Sequence, residues 1–166
     1  MNPFLRKRIS RRPMPPRVNP ASHLNPGTRV PVAIIVIGHN GAAFLGECLA
    51  SVFAQTVTPD EIQYVDDAST DDSLEVARSF ADRGLQIVAL PENVGMNAAR
   101  MAGFDRSTAP LLLFVDGDNV LPPDYLAIMA AELAARPDAA FTCPGKRFIG
   151  DPGAVAWRKK WPSDFT

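Results

Sequence analysis

Residues 111–119 read Leu111-Leu112-Leu113-Phe114-Val115-Asp116-Gly117-Asp118-Asn119. An apolar run of strand length that stops abruptly at an acidic turn predicts a strand buried on both faces, with its carboxyl end opening into a polar crevice. The same pattern recurs upstream. Val32–Ile37 is a β-branched run that ends in Gly38-His39-Asn40-Gly41, and Ile62–Val65 ends in Asp66-Asp67-Ala68-Ser69-Thr70-Asp71. Gln86–Ala89 predicts a further strand, and Ala139–Thr142 a fifth.

Helical patterns separate these runs. Ala42–Gln55 places Leu45, Cys48, Leu49, Val52 and Phe53 on one face. Asp72 and Glu75 read as a capping pair for a helix that carries Leu74, Ala77 and Phe80/Ala81 inward and ends at Gly84. Asn97–Arg106 reads as a short helix, and Pro122–Pro123 opens another to about residue 135, with Leu126, Met129 and Leu133 inward. Alternating strands and helices predict an α/β fold: a mainly parallel sheet with helices on both faces. Ligands in such folds bind at the carboxyl ends of the strands. The polar clusters at 38–41, 66–71 and 116–119 therefore belong to one rim.

Composition sets the outer limits. The chain has 166 residues, 46% hydrophobic and 21% charged, enough for one globular domain. Residues 1–30 hold seven basic residues and no acidic one, leaving 10 basic and 18 acidic residues in the remainder. This Pro-rich stretch reads as a disordered basic arm. It is suited to peripheral contact with an anionic membrane, each cation contributing about 1 kcal/mol near such a surface. Nucleic acid is not expected as a partner, because the body behind the arm is acidic. No apolar run approaches membrane-spanning length and no signal-peptide core is present, so the expected location is cytoplasmic, at most membrane-peripheral. Cys48 and Cys143 lie in apolar stretches without metal-ligand spacing and read as reduced core residues.

Asp116-Gly117-Asp118 suits a hard divalent cation, Mg²⁺ or Mn²⁺: oxygen donors on a turn, with Gly117 allowing close approach. Such an ion takes one or two carboxylates and completes its shell on substrate phosphates. Asp66 is an acceptor placed at a strand end, fit for the ring N–H of a uracil-type base or for a helix-capping network, and both can hold at once with a later residue at the cap. His39 reads as a loop residue or ligand contact rather than a catalyst.

The ordered set Val36-Ile37-Gly38-His39-Asn40, Val65-Asp66-Asp67-Ala68-Ser69-Thr70-Asp71, Asn93-Val94-Gly95-Met96-Asn97-Ala98-Ala99-Arg100-Met101-Ala102-Gly103 and Phe114-Val115-Asp116-Gly117-Asp118-Asn119 resembles the motifs of family 2 glycosyltransferases. The resemblance spans roughly residues 31–125. It departs from the family pattern at Ala68 (usually Gly), His39 (often Tyr) and Met101 (usually Asn). It implies a Rossmann-like GT-A half-domain over residues 31–145; residues 146–166, with no strand–helix pattern, read as an irregular tail. It also implies transfer of a sugar from a nucleotide-diphospho-sugar to an acceptor, with inversion. Asp66 would meet the base, Ile37, Gly38 and Asn40 would line the base and ribose pocket, and Gly95 and its neighbours would cover the nucleotide. Asp116 would lie at the ribose or metal, and Asp118 would hold the metal. A UDP-sugar is the favoured donor. The general base belongs to a later part of the family domain, and only 48 residues follow Asp118, so the base is expected beyond the chain end in a longer enzyme. Asp151 reads as a turn residue, and Trp157–Trp161 as an acceptor segment or an exposed tail. A non-catalytic nucleotide-binding module that keeps only the donor half is the alternative. A nucleotidyltransferase or dehydrogenase would need a Gly-rich phosphate loop after the first strand, which Gly38–Leu45 lacks.

Overall fold

The computed structural model describes residues 24–136 and 138–142. In chain order these form β1 (Arg29–Gly38), α1 (Ala42–Phe53), β2 (Thr58–Asp66), α2 (Ser73–Arg78), a 3₁₀ turn (Ala81–Arg83), β3 (Gln86–Ala89), α3 (Met96–Phe104), β4 (Leu111–Asp116) and α4 (Tyr125–Ala134). The strands make one sheet in the order β3-β2-β1-β4, and every pairing is parallel. The fold predicted from the alternation is the fold observed.

Residue alternation along β1 builds both layers of the core. Val30, Val32, Ile34 and Val36 face one cluster with Leu45, Cys48, Leu49 and Val52 of α1, Ala77 of α2, and Leu126 and Ala127 of α4. Ala33, Ile35 and Ile37 face the other, beneath Ala99 of α3. The α1 stripe spaced i, i+3, i+4, i+7 is fully buried, each large side chain contributing roughly 2 kcal/mol by leaving water. α3 lies close to the sheet because residue 103 has no side chain. A Cβ on Gly103 would stand 2.5 Å from Ile35 Cγ2 and 3.1 Å from Val65 Cγ2. Any larger residue there would lift α3 off β1 and β2.

Several boundaries move from their predicted places. β1 begins at Arg29, Leu24 packs against the core, and the Gly27 N–H donates to the Thr56 carbonyl at 2.7 Å. The body thus starts within the segment assigned to the arm; residues 1–23 lie outside the described part. The register shifts between Val30 and Ala33, next to Pro31, which has no N–H to give the ladder.

The expected Asp72 cap is not made. Asp71 accepts from the Ser73 N–H at 3.0 Å instead. α4 starts at Tyr125 rather than at the prolines, because Gln55, two residues past the end of α1, takes the nearby backbone groups. Its Nε2 donates to the Pro122 carbonyl at 2.8 Å, and its Oε1 accepts from the Leu126 N–H at 2.8 Å. Ala139–Thr142 forms no strand. β4 is less buried than its sequence predicts: only Val115 is buried and Phe114 is 40% exposed, since β4 ends the sheet among the described residues. Cys48 is buried as expected, and burial, chiefly, raises its thiol to about 12, so it stays a protonated core residue. Cys143, Asp151, Trp157–Trp161 and the whole 146–166 tail lie outside the described residues.

Candidate functional site

The strand register brings the polar ends level. Gly38 pairs with Asp66, Asp66 with Ala89 and Ile37 with Asp116. The ladder continues one step into the loops, through Asp67 N–H to the Gly38 carbonyl at 2.9 Å and Gly117 N–H to the Ile37 carbonyl at 2.8 Å. The chain lays β2 and β3 on one side of β1 and returns to place β4 on the other. The ends of β1 and β4 are therefore neighbours, and the loops that follow them flank one opening. A pocket of about 450 Å³ opens there, lined by Ile37–Gly41, Phe44, Leu45, Tyr64, Asp67, Asn93, Gly95, Met96 and Asp116–Asp118.

Six of the seven residues singled out in the sequence line this pocket: Ile37, Gly38, Asn40, Gly95, Asp116 and Asp118. Asp66 does not. Its side chain is 1% exposed. Its Oδ1 accepts from the Tyr64 hydroxyl at 3.0 Å and its Oδ2 from the Ser69 N–H at 2.9 Å. Neither bond caps a helix; both tie Asp66 to residues 64 and 69 around the end of β2. Burial, with the Asp66 charge second, raises the Tyr64 phenol, so it remains a donor.

The neighbouring Asp67 reaches the pocket instead. Its Oδ1 accepts from the Val94 N–H at 2.8 Å and its Oδ2 from the Gly95 N–H at 2.9 Å. This ties the end of β2 to the loop before α3. Gly95 can present that N–H because it adopts φ 83°, which a side chain would disfavour.

The loops after β1 and β2 are knitted together. Asn40, at φ 52°, accepts from the Thr70 N–H at 2.7 Å on Oδ1, and its own N–H donates to Ser69 Oγ at 2.9 Å. His39 Nδ1 lies 2.7 Å from the Asp67 carbonyl. A carbonyl only accepts, so Nδ1 carries the proton and Nε2 accepts from Asn40 Nδ2 at 3.1 Å. The first N–H of α1, on Ala42, donates to Asp71 Oδ2 at 3.0 Å. Hydrogen bonds, first that of the Ser73 hydroxyl and then that of Ala42 N–H, hold the Asp71 carboxyl below its ordinary range. Ala68, in the position that usually holds glycine, also sits at positive φ, 57°.

On the β4 side, Asp116 Oδ1 pairs with Arg100 Nη2 at 2.9 Å. Its backbone carbonyl accepts from the Asn119 N–H at 2.9 Å, which fixes the turn carrying Asp118. The lining thus presents three carboxylates, Asp67, Asp116 and Asp118, and no Lys or Arg. No group of three or more metal-ligating side chains occurs among the described residues. Asp116 and Asp118 supply a partial set of hard oxygen donors, as fits a Mg²⁺- or Mn²⁺-type ion that completes its shell elsewhere. Phe44 and Met96, 60% and 54% exposed, form an apolar rim.

Sequence reading assigned no site role to Asp67, Arg100 or Phe44, and Met96 entered only as a neighbour of Gly95. Phe44 falls outside the inward stripe of α1, and that exposed aromatic was the available signal. Nothing local separates Asp67 from Asp66.

The description "Glycosyl transferase family 2" fits the chain over residues 33–165, a match that continues through the segment set aside as a tail. The chain belongs to that family. Glycosyltransferase GlyA of Streptococcus pneumoniae is 34% identical over 96 residues, covering 57% of this chain and 14% of that protein. The uncharacterized glycosyltransferase YibD of Escherichia coli is 32% identical over 111 residues, covering 66% and 32%. Among solved structures, the mannosyltransferase PcManGT of Pyrobaculum calidifontis, in complex with GDP-Man and Mn²⁺, superposes with a TM-score of 0.58 at 27% identity, covering 68% of this chain and 35% of that one. TarS of S. aureus in complex with UDP-GlcNAc gives 0.57 at 25% identity, covering 63% and 31%. These neighbours are GT-A glycosyltransferases. The chain spans about a third or less of the length of these relatives.

Proposed function

We propose that this chain binds the nucleoside diphosphate of a sugar donor in the β1–β4 pocket and holds Mg²⁺ or Mn²⁺ there, as the donor-binding part of a glycosyltransferase. The observation that carries this reading is the pocket's charge. Three carboxylates and no cationic side chain line about 450 Å³. A diphosphate is repelled from such a site unless a divalent cation enters with it.

Asp118 is the metal-holding residue, with Asp116 placed for the ribose hydroxyls or the metal. Ile37 and Gly38 wall the base and ribose, Asn40 and Gly95 hold the loops around them, and Phe44 with Met96 offers an apolar edge to the base. The base-selecting contact passes from Asp66 to Asp67. Each Asp67 oxygen accepts one backbone N–H and retains a lone pair for a base N–H. The ion, when bound, supplies Lewis-acid neutralisation of the departing diphosphate. UDP is the favoured nucleotide, a choice supported by the UDP-GlcNAc complex of TarS; the GDP-Man complex of PcManGT makes GDP the comparison to run beside it.

Calorimetric titration with UDP, with and without Mn²⁺, tests this. Binding that requires Mn²⁺ and disappears in Asp118→Ala is expected. Binding indifferent to both, or none for either nucleotide, would sink the proposal.

A further inference from the structure

We propose that Arg100 is a positioning residue for the metal pair. It holds Asp116 at one carboxylate oxygen and balances part of the pocket's negative charge before a divalent ion arrives. This rests on the donor-site reading above.

The geometry begins in the sheet. Ala99 is fully buried against Ile35 and Val65, and Gly103 lets α3 lie close to those same side chains. The height of α3 is thereby fixed, and Arg100, next to Ala99, projects beside the end of β4. Its Nη2 meets Asp116 Oδ1 at 2.9 Å, and its Nη1 donates to Asn97 Oδ1 at 3.3 Å, one turn back on the same helix. Asn97 braces one arm of the guanidinium while the other grips the carboxylate. The two side chains are 29% and 33% exposed, so the pair is neither dry nor fully screened.

Braced through Nη1 on Asn97, the planar guanidinium delivers its Nη2 to one oxygen of Asp116 from a set direction. Two consequences follow. The Arg100 charge competes with a bare divalent ion for Asp116, so it weakens metal binding in the absence of nucleotide. It also turns Asp116 to one orientation, so it strengthens binding of the nucleotide that Asp116 contacts. Removing Arg100 therefore moves the two affinities in opposite directions.

The test measures Mn²⁺ affinity alone, from the electron paramagnetic resonance signal of free Mn²⁺, and UDP affinity at saturating Mn²⁺, in the full chain. Arg100→Gln is expected to bind Mn²⁺ roughly fivefold more tightly, the scale of a partly exposed ion pair. Its UDP affinity is expected to fall on the order of tenfold, as when the group orienting a ligand is lost. Arg100→Lys keeps the charge without the braced guanidinium, so its Mn²⁺ affinity stays near wild type while UDP binding is intermediate. Thermal unfolding checks that both variants fold. If both affinities fall together, or neither changes, Arg100 has a merely structural role and the inference is overturned. If wild type does not bind UDP at saturating Mn²⁺, or Asp118→Ala binds it equally well, the donor-site reading itself fails and takes the inference with it.

Discussion

The two ends of the sheet are built from the same strands and treat charge in opposite ways. At the amino ends of β2 and β3 a cavity of about 270 Å³ is lined by Asp60, Glu61 and Arg83 among others. Charges there are answered locally. Arg29 pairs with Asp60 at the surface, Arg83 lies over the Phe53 ring at 4.4 Å, and Glu61 accepts from Thr108. At the carboxyl ends the larger pocket gathers three carboxylates, one answered by backbone N–H groups, one by Arg100 and one, Asp118, with no hydrogen bond or ion pair among the described residues. Charge that is paired within the fold stabilises the fold. Charge left facing a pocket is open to a ligand, and under the proposed function that ligand brings a cation.

The largest expected effect separates the ends by function. Asp118→Ala should abolish Mn²⁺-dependent UDP binding, a loss of at least about tenfold or roughly 1.4 kcal/mol, whereas Asp60→Ala should leave the titration unchanged. A drop in both would dissolve the distinction.

Next comes the stability of the rim. Asp67 is 3% exposed and both its oxygens accept backbone N–H groups. Asp67→Asn would set an amide N–H₂ against one of those donors and should cost about 2 kcal/mol in denaturant unfolding. The matching change at the other end, Asp60→Asn, frees an exposed pair and should cost less than about 1 kcal/mol.

A smaller effect of opposite sign is expected at Ala68. Its φ of 57° is a conformation in which glycine is unstrained, so Ala68→Gly should stabilise the chain by about 1 kcal/mol. An unchanged or lowered midpoint would show that the loop does not carry the strain.

The smallest effect lies at the amino end and depends on pH. Hydrogen bonds, the Thr108 hydroxyl first, hold the Glu61 carboxyl below its ordinary value of 4.5. A carboxyl depressed in the folded state adds stability above its unfolded pKa and loses it as pH falls through the folded one. Glu61→Gln should therefore make the acid limb shallower below about pH 4.5, without altering UDP binding at neutral pH.

The strands were readable because each apolar run stops at a polar cluster, and the parallel register then forces those clusters level. The four motifs were readable as an ordered set. What escaped depends on partners distant in sequence. Asp66 and Asp67 are adjacent carboxylates, and only the Tyr64 hydroxyl beside one and the residue 94–95 backbone beside the other separate their roles. Arg100 acquires its place from the close packing of Gly103 on Ile35. α4 starts late because Gln55, about seventy residues earlier than Leu126, holds its first backbone groups. The exposure of Phe114 follows from strand order, which apolar periodicity alone does not specify.

In the proposed donor site a divalent ion and a nucleoside diphosphate meet at Asp118. A crystal of the chain soaked with UDP and Mn²⁺, measured at a wavelength where manganese scatters anomalously, tests it most directly. The account predicts an anomalous peak at coordination distance from an Asp118 carboxylate oxygen, with diphosphate density beside it. A peak only at Asp60 or Glu61, or nucleotide density in the pocket with no metal peak, would contradict it.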